Sequence, residues 1–117
     1  MRFTEVDYTD AAPVEGYGPG FFRIGGEVIE GAAVTGPAGT GAWGGYDDLD
    51  PLRLLEGQID VLFLGTGAEI AHPPAAFRSA VEALGIGIEV MASPVAARTY
   101  NVLLSEGRRV ALAVLPV

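Results

Sequence analysis

The sequence predicts one layered α/β domain over residues 1–117, in which a β-hairpin half precedes a β-α-β-α-β half. From residue 59 onward, apolar runs typical of strands alternate with two patterns of helical period. The first 45 or so residues instead contain short strand-like runs separated by glycine-containing turns. A length of 117 residues with 50% hydrophobic residues fits a domain with one core.

The N-terminal half contains a clear hairpin pattern. Residues 21–24 and 27–30 are strand-like, and Gly25 and Gly26 between them supply the positive φ angles of a two-residue turn. Residues 36–41 are predicted to form a loop that Trp43 anchors to the core. Asp50 followed by proline predicts the N-cap of a short helix that ends at Gly57.

The C-terminal half alternates strands and helices. Residues 61–64 form a continuous apolar run, which predicts a central strand buried on both faces. A helix is predicted over residues 73–84, a strand over 86–90, and a second helix from residue 94 to about 106 with Ser93 as its N-cap. Gly107 ends that helix, and a last strand follows over residues 110–115.

The composition excludes several kinds of chemistry. Cysteine and lysine are both absent, which rules out disulfides, thiolate nucleophiles and Schiff-base lysines. His72 is the only histidine, so neither a metal site nor a catalytic triad is predicted, and no catalytic residue or cofactor is assigned. A formal net charge of −8 without a basic patch argues against binding to nucleic acid.

The location is expected to be the cytoplasm. Residues 1–5 lack the apolar core of a signal peptide, and no apolar run approaches the roughly 20 residues that a membrane-spanning helix needs.

A polar line on the second predicted helix is a candidate site. At about 100° per residue, Arg98, Asn101 and Ser105 fall on one stripe. This stripe is either a solvated face or the border of a cleft. Arg98 lies near the helix N-terminus, where the dipole disfavours a cation, and this favours the cleft. The opposite side, predicted to be buried, holds Val95, Thr99, Val102 and Leu103.

A glycine-containing loop follows the central strand. Ligands of open α/β sheets bind beyond the carboxyl ends of the strands, and helix N-termini attract anions. If the strands around residues 61–64 and 86–90 are parallel neighbours, this loop faces the start of the second helix. The alternative is that the glycines only permit a tight turn. The predicted pocket for an anionic ligand consists of Gly65, Thr66, Gly67, Ser93, Arg98 and Asn101.

Glu106 lies at the C-terminal end of the same helix, where a negative charge is unfavourable, and on its predicted buried side. A cationic partner is therefore expected. Arg108 is the preferred candidate, and Arg109 and Arg23 are the others. A structural ion pair is favoured over a general base with a raised pKa.

Several segments together resemble a small protein family. They are residues 61–67, 88–91, 97–103 and 106–111, joined upstream by residues 16–18 and 21–24. The resemblance is to the family catalogued as domain of unknown function 498, which includes adipogenesis-associated domain proteins and a mitochondrial assembly factor of respiratory complex I (NADH:ubiquinone oxidoreductase). It implies a three-layer α/β fold with a mixed central sheet whose last strand is antiparallel to the others. It implies no established enzyme activity and no known cofactor.

Two functions follow from these observations. The first is a non-catalytic binding or assembly protein, related through the family to respiratory complex I assembly. It is expected to contact a protein partner through an apolar patch around Trp43, Tyr46 and the glycine-rich loop. The alternative is a small-molecule binder or enzyme that uses the predicted anion pocket. The absence of a mitochondrial presequence indicates a bacterial member of the family.

Overall fold

The computed structural model describes residues 11–117, which form eight strands and three helices. The signal-peptide prediction concerns residues 1–5 and lies outside the described residues. In chain order the elements are β1 (Val14–Gly18), β2 (Phe21–Ile24), β3 (Glu27–Glu30), β4 (Ala33–Gly36), β5 (Gly39–Ala42), α1 (Asp50–Arg53), β6 (Val61–Gly65), α2 (Ala75–Glu82), β7 (Gly87–Met91), α3 (Ser93–Ser105) and β8 (Val110–Val114).

The central sheet has five strands in the order β5-β4-β8-β6-β7. Strands β6, β7 and β8 are parallel, whereas β4 is antiparallel to β8 and β5 is antiparallel to β4. The sheet is mixed, as expected, but the expectation that its last strand is antiparallel to the others is wrong. Strand β8 returns parallel to β7 because α3 forms the crossover between them, and such a crossover restores the strand direction.

The two faces of this sheet carry separate cores, as the alternation along β8 shows. Val110, Leu112 and Val114 pack towards α3 and the smaller sheet β1-β2-β3, whereas Ala111 and Ala113 pack towards α1 and α2. The described residues therefore form the three layers of an α/β fold, with the mixed sheet in the middle.

The N-terminal half confirms the predicted hairpin and corrects the predicted loop. Gly25 and Gly26 have φ angles of 59° and 84° in the turn between β2 and β3. Residues 36–41 do not form a loop, because β4 and β5 pair tightly with Gly36 opposite Gly39. Trp43 is buried, and its Nε1–H donates to the carbonyl oxygen of Asp48, so it anchors residues 43–48 to the core and not the predicted loop.

Three helix starts differ from the prediction. Asp50 lies inside α1, with Leu49 at the N-cap, and Ser93 lies inside α3, with Ala92 at the N-cap. Helix α2 begins only at residue 75, and Pro74 before it is still extended, with a ψ angle of 141°.

Within residues 11–117, no helix combines the length and the apolar character that crossing a membrane requires.

Candidate functional site

Four of the six predicted site residues meet at the carboxyl ends of β6 and β7. The N–H of Gly67 donates to Ser93 Oγ at 2.8 Å, and the N–H of Ser93 donates to the Gly67 carbonyl oxygen at 2.7 Å. The N–H of Thr66 donates to the Met91 carbonyl oxygen at 2.9 Å, which extends the pairing of the parallel strands. We call Gly65, Thr66, Gly67 and Ser93 the strand-end cluster.

The polar atoms of the strand-end cluster are bonded to the chain itself. Ser93 is fully buried, and its hydroxyl donates to the Leu115 carbonyl oxygen at 2.7 Å while it accepts from Gly67. These bonds explain why Ser93 is not an N-cap. The Thr66 hydroxyl donates to the Glu69 carbonyl oxygen and accepts from the N–H of Ala71, both at 2.9 Å. The cluster therefore joins β6, α3 and the end of β8.

Gly65 is required by the close approach of α3. A Cβ atom at this position would lie 2.7 Å from both Cα and Oγ of Ser93, and 2.7 Å from Cγ1 of Val114. Since one of these atoms belongs to the helix backbone, no side-chain rotation can relieve the contact. The glycine lets the first turn of α3 pack directly on the end of the sheet.

Arg98 and Asn101 lie apart from this cluster, beside β1. The Asn101 side chain accepts from the N–H of Val14 and donates to its carbonyl oxygen, both at 2.8 Å. It thus pairs with Val14 as a neighbouring strand would. Arg98 is exposed at the rim of a groove of about 220 Å³ between β1 and α3. The lining of this groove consists of Val14, Glu15, Gly16, Tyr17, Pro94, Ala97, Arg98 and Asn101.

Tyr100 forms a hydrogen bond with the segment that precedes β1. Its hydroxyl donates to the Ala12 carbonyl oxygen at 2.9 Å, and the Thr35 hydroxyl donates to the same oxygen at 3.2 Å. Burial raises the pKa of Tyr100 to about 12, and the hydrogen bond with Thr35 opposes part of this rise. Thr35 was not predicted as part of any site. Its only sequence signal is a polar residue within the short apolar run of β4.

The exposed face of α3 differs from the prediction. Val95 and Val102 were expected to be buried, but they are 41% and 49% exposed. The buried row is instead Ala96, Tyr100 and Leu104, spaced by four residues and directed at the sheet. Because this row faces the sheet, Val95 and Val102 on another side of the helix point outward.

The predicted ion pair between Glu106 and Arg108 does not form. Both residues are exposed, and within residues 11–117 neither has an oppositely charged side chain within ion-pair distance. The end of α3 is capped by the backbone, because Gly107 has a φ angle of 81° and the N–H of Arg108 reaches the Leu103 carbonyl oxygen. Arg109 pairs with Asp60 at 3.2 Å.

The prediction of an apolar surface patch around Trp43 and Tyr46 is wrong for Trp43. Trp43 is only 4% exposed and packs against Tyr46 and Phe77 in the core. In the described part of the chain, no three His, Cys, Asp or Glu side chains lie close enough together to hold a metal ion. His72 is exposed in the loop before α2.

The fold and the site define a class, a three-layer mixed α/β domain whose polar strand-end residues bond with its own backbone. More specifically, the chain belongs to the family described as protein of unknown function DUF498/DUF598, whose model matches residues 14–115. The family resemblance seen in the sequence is therefore confirmed.

Three relatives illustrate the range of this similarity. A Rhodobacter capsulatus protein named as uncharacterized is 50% identical over 117 residues, which cover 100% of this chain and 94% of that protein. The NADH dehydrogenase (ubiquinone) 1 alpha subcomplex assembly factor 3 of Danio rerio is 36% identical over 107 residues, or 86% of this chain. The chain spans only 62% of that assembly factor. A Bartonella henselae crystal structure, described as an outer membrane protein, matches with a TM-score of 0.83 and 32% identity over 95% of this chain and 99% of that chain.

Proposed function

We propose that this protein is a non-catalytic binding protein that helps to assemble respiratory complex I through contacts with a protein partner. The main support for the proposal is that polar residues of the predicted site form hydrogen bonds with the protein's own backbone. The Ser93 hydroxyl and the Asn101 amide each make two hydrogen bonds to backbone groups, at 2.7 to 2.8 Å. Groups bonded in this way stabilise the fold and are not available to a reacting substrate.

The exposed surface and the relatives support the same proposal. Val95 and Val102 face outward on α3, and Tyr17 on β1 is also about half exposed. Val95 and Val102 lie on the same face of α3, so this helix face is a candidate contact surface for another protein. Relatives named as complex I assembly factors supply the direction of the proposal. We place this role in the cytoplasm and assign it no cofactor and no nucleic-acid partner.

The proposal is tested by deleting the gene in the organism that encodes it. Native gel electrophoresis and NADH:ubiquinone oxidoreductase activity would measure complex I in the deletion strain and in a strain that carries the gene on a plasmid. We expect less fully assembled complex I after deletion and normal levels after complementation. Unchanged complex I in the deletion strain would overturn the proposed role.

A second candidate function, binding of a small anion, is favoured by the exposed guanidinium of Arg98. It lies beside the groove of about 220 Å³ close to the first turn of α3, where the helix dipole also attracts an anion. Of the six residues predicted for this pocket, only Arg98 and Asn101 line the groove.

Thermal unfolding with added inorganic phosphate or succinate tests this second function. Anion binding predicts a higher melting temperature for the wild type, and loss of that increase in Arg98→Ala. No increase, or an equal increase in the variant, would exclude the groove as an anion site. Arg53→Ala, at an exposed residue paired with Asp50, is the matched control for loss of one positive charge.

A further inference from the structure

Strand β7 lies at one edge of the five-stranded sheet, and β6 is its only neighbour among the described residues. The N–H of Gly87 donates to the Asp60 carbonyl oxygen, and the Met91 carbonyl oxygen accepts from the N–H of Thr66, both at 2.9 Å. In a parallel strand, the backbone N–H and C=O groups of alternate residues bond to the same neighbouring strand. The backbone groups of Gly87, Glu89 and Met91 therefore point towards β6. The N–H and C=O groups of the residues between them, Ile88 and Val90, therefore point away from the sheet.

Side-chain packing fixes the position of this edge strand without covering the outward backbone groups of Ile88 and Val90. The side chains of Ile88 and Val90 pack against the core on the α2 side of the sheet. Glu89 is exposed on the opposite face, since it is in register with Phe63, which belongs to the core under α3. Within residues 11–117, the edge thus has four backbone groups without a hydrogen-bond partner and one outward carboxylate.

An exposed apolar side chain follows the carboxyl end of this edge. Helix α3 begins two residues after Met91, and its first turn places Val95 in solvent. Val102 lies two turns further along the same helix face and is also exposed. A segment that paired with β7 would therefore lie beside the acidic side chain of Glu89, with Val95 near the carboxyl end of the strand.

We propose that the β7 edge binds an extended segment of a partner protein as a sixth strand, with an arginine or lysine of that segment opposite Glu89. The inference rests on the proposed binding function and adds the position and the chemistry of the contact. Strand addition supplies affinity through backbone hydrogen bonds, and the residue opposite Glu89 supplies specificity. A basic segment also complements a chain with a net charge of −8.

A second copy of this chain fits the edge poorly. An antiparallel two-fold pairing that satisfies all the outward groups of β7 places Ile88 of one copy opposite Val90 of the other. The two Glu89 carboxylates then face each other directly, and like charges in that position destabilise a strand pair. The edge therefore favours a partner of opposite charge.

Binding of two synthetic peptides to the full-length chain tests the charge preference. One peptide alternates valine with arginine, and the other alternates valine with glutamate. We expect the arginine peptide to bind and to shift the NMR signals of the Ile88 and Val90 amides. Glu89→Arg should weaken that binding about tenfold and allow the glutamate peptide to bind instead.

Glu27→Arg is the matched control, because Glu27 is exposed on β3 and its substitution changes the net charge equally. It should leave binding of the arginine peptide nearly unchanged. Equal weakening in both variants would show non-specific attraction to the acidic chain and would overturn the proposal. Shifts confined to amides outside β7 and the start of α3 would also overturn it.

A photo-crosslinking amino acid at position 89, compared with one at position 27, tests the contact in cells. We expect position 89 to capture a peptide that carries arginine or lysine at alternate positions. Capture of a second copy of this chain, or equal capture at both positions, would overturn the edge site.

Complementation of the deletion strain separates the edge site from the assembly role. If deletion of the gene lowers complex I while a plasmid copy carrying Glu89→Arg restores it fully, the assembly role stands and the edge site fails. If deletion leaves complex I unchanged but position 89 captures a basic segment, the edge site stands and the assembly role fails.

Discussion

The strand-end cluster and the β7 edge lie next to each other on the sheet and use their polar groups in opposite ways. In the cluster, the Ser93 hydroxyl and the Gly67 N–H bond to the protein and are buried. At the edge, the backbone groups of Ile88 and Val90 point away from the sheet. The cluster has a conspicuous sequence pattern of glycine, threonine and serine, whereas the edge has an ordinary strand sequence. A concentration of polar residues can therefore stabilise the fold, while a binding surface can consist of backbone groups.

Substitution of Gly65 by alanine should have the largest effect on stability. The new Cβ would lie 2.7 Å from the backbone of Ser93, and we expect the free energy of unfolding to fall by about 3 kcal/mol or more. Urea denaturation measures this loss. Gly41→Ala is the control, since no atom lies within 4 Å of a Cβ at that position. A small loss for Gly65→Ala would mean that the cluster is looser than described and has room for a ligand.

The pH dependence of stability reports on Tyr100. Its pKa is raised from 10.0 to about 12, so its proton is held more tightly in the folded state. This contribution is fully present below pH 10 and is lost as the pH rises towards about 12, which amounts to at most about 2.7 kcal/mol. Urea denaturation between pH 9 and 12 should show a steeper loss in the wild type than in Tyr100→Phe. Equal slopes would contradict the burial of this hydroxyl beneath the segment before β1.

Ser93→Ala removes the hydroxyl that joins the cluster and leaves the Gly67 N–H and the Leu115 carbonyl without this partner. Buried groups without a partner are costly, so we expect the free energy of unfolding to fall by about 2 kcal/mol. Ser105→Ala is the control, because Ser105 is exposed and its hydroxyl, among the described residues, bonds only to its own helix. Equal effects of the two substitutions would argue against a structural role for Ser93.

Asn101→Ala should have a smaller effect, since its two hydrogen bonds to Val14 are only partly buried. We expect a loss of about 1 kcal/mol and faster hydrogen exchange at the Val14 amide. Fast exchange confined to β1, with α3 unchanged, would locate the effect at the contact between them. Unchanged exchange at Val14 would show that Asn101 does not hold β1.

Glu89→Arg should have the smallest effect on stability, within about 0.5 kcal/mol, because the side chain is exposed. The same substitution is expected to change partner binding strongly. Urea denaturation of this variant therefore separates the edge from the cluster. A large loss of stability would mean that Glu89, like the strand-end cluster, stabilises the fold. The β7 edge and the strand-end cluster would then not differ in the way described.

Much of the fold followed from local patterns in the sequence. The run at residues 61–64 predicted β6 because a strand buried on both faces needs continuous apolar residues. The Gly25-Gly26 turn was equally clear, since few other residues adopt both φ angles. The direction of β8 was not predictable from its own residues, because an apolar run reads the same in either direction.

The candidate site was harder to predict for a physical reason. Helical period placed Arg98 and Asn101 on one stripe correctly, but it could not show that Asn101 bonds to Val14, 87 residues earlier in the chain. It also placed Val95 and Val102 on the buried side. Only the position of the sheet relative to α3 decides which side of the helix is buried. The openness of the β7 edge depends on strand order, which no local pattern contains.

Residue-resolved hydrogen exchange of the free protein compares the two regions most directly. The amides of Gly67 and Val90 differ in the decisive property, since the first donates to a buried hydroxyl and the second points away from the sheet. We predict that Gly67 is strongly protected and that Val90 exchanges far faster. Equal protection of the two amides would show that the edge is already covered, and fast exchange at Gly67 would show that the cluster is open.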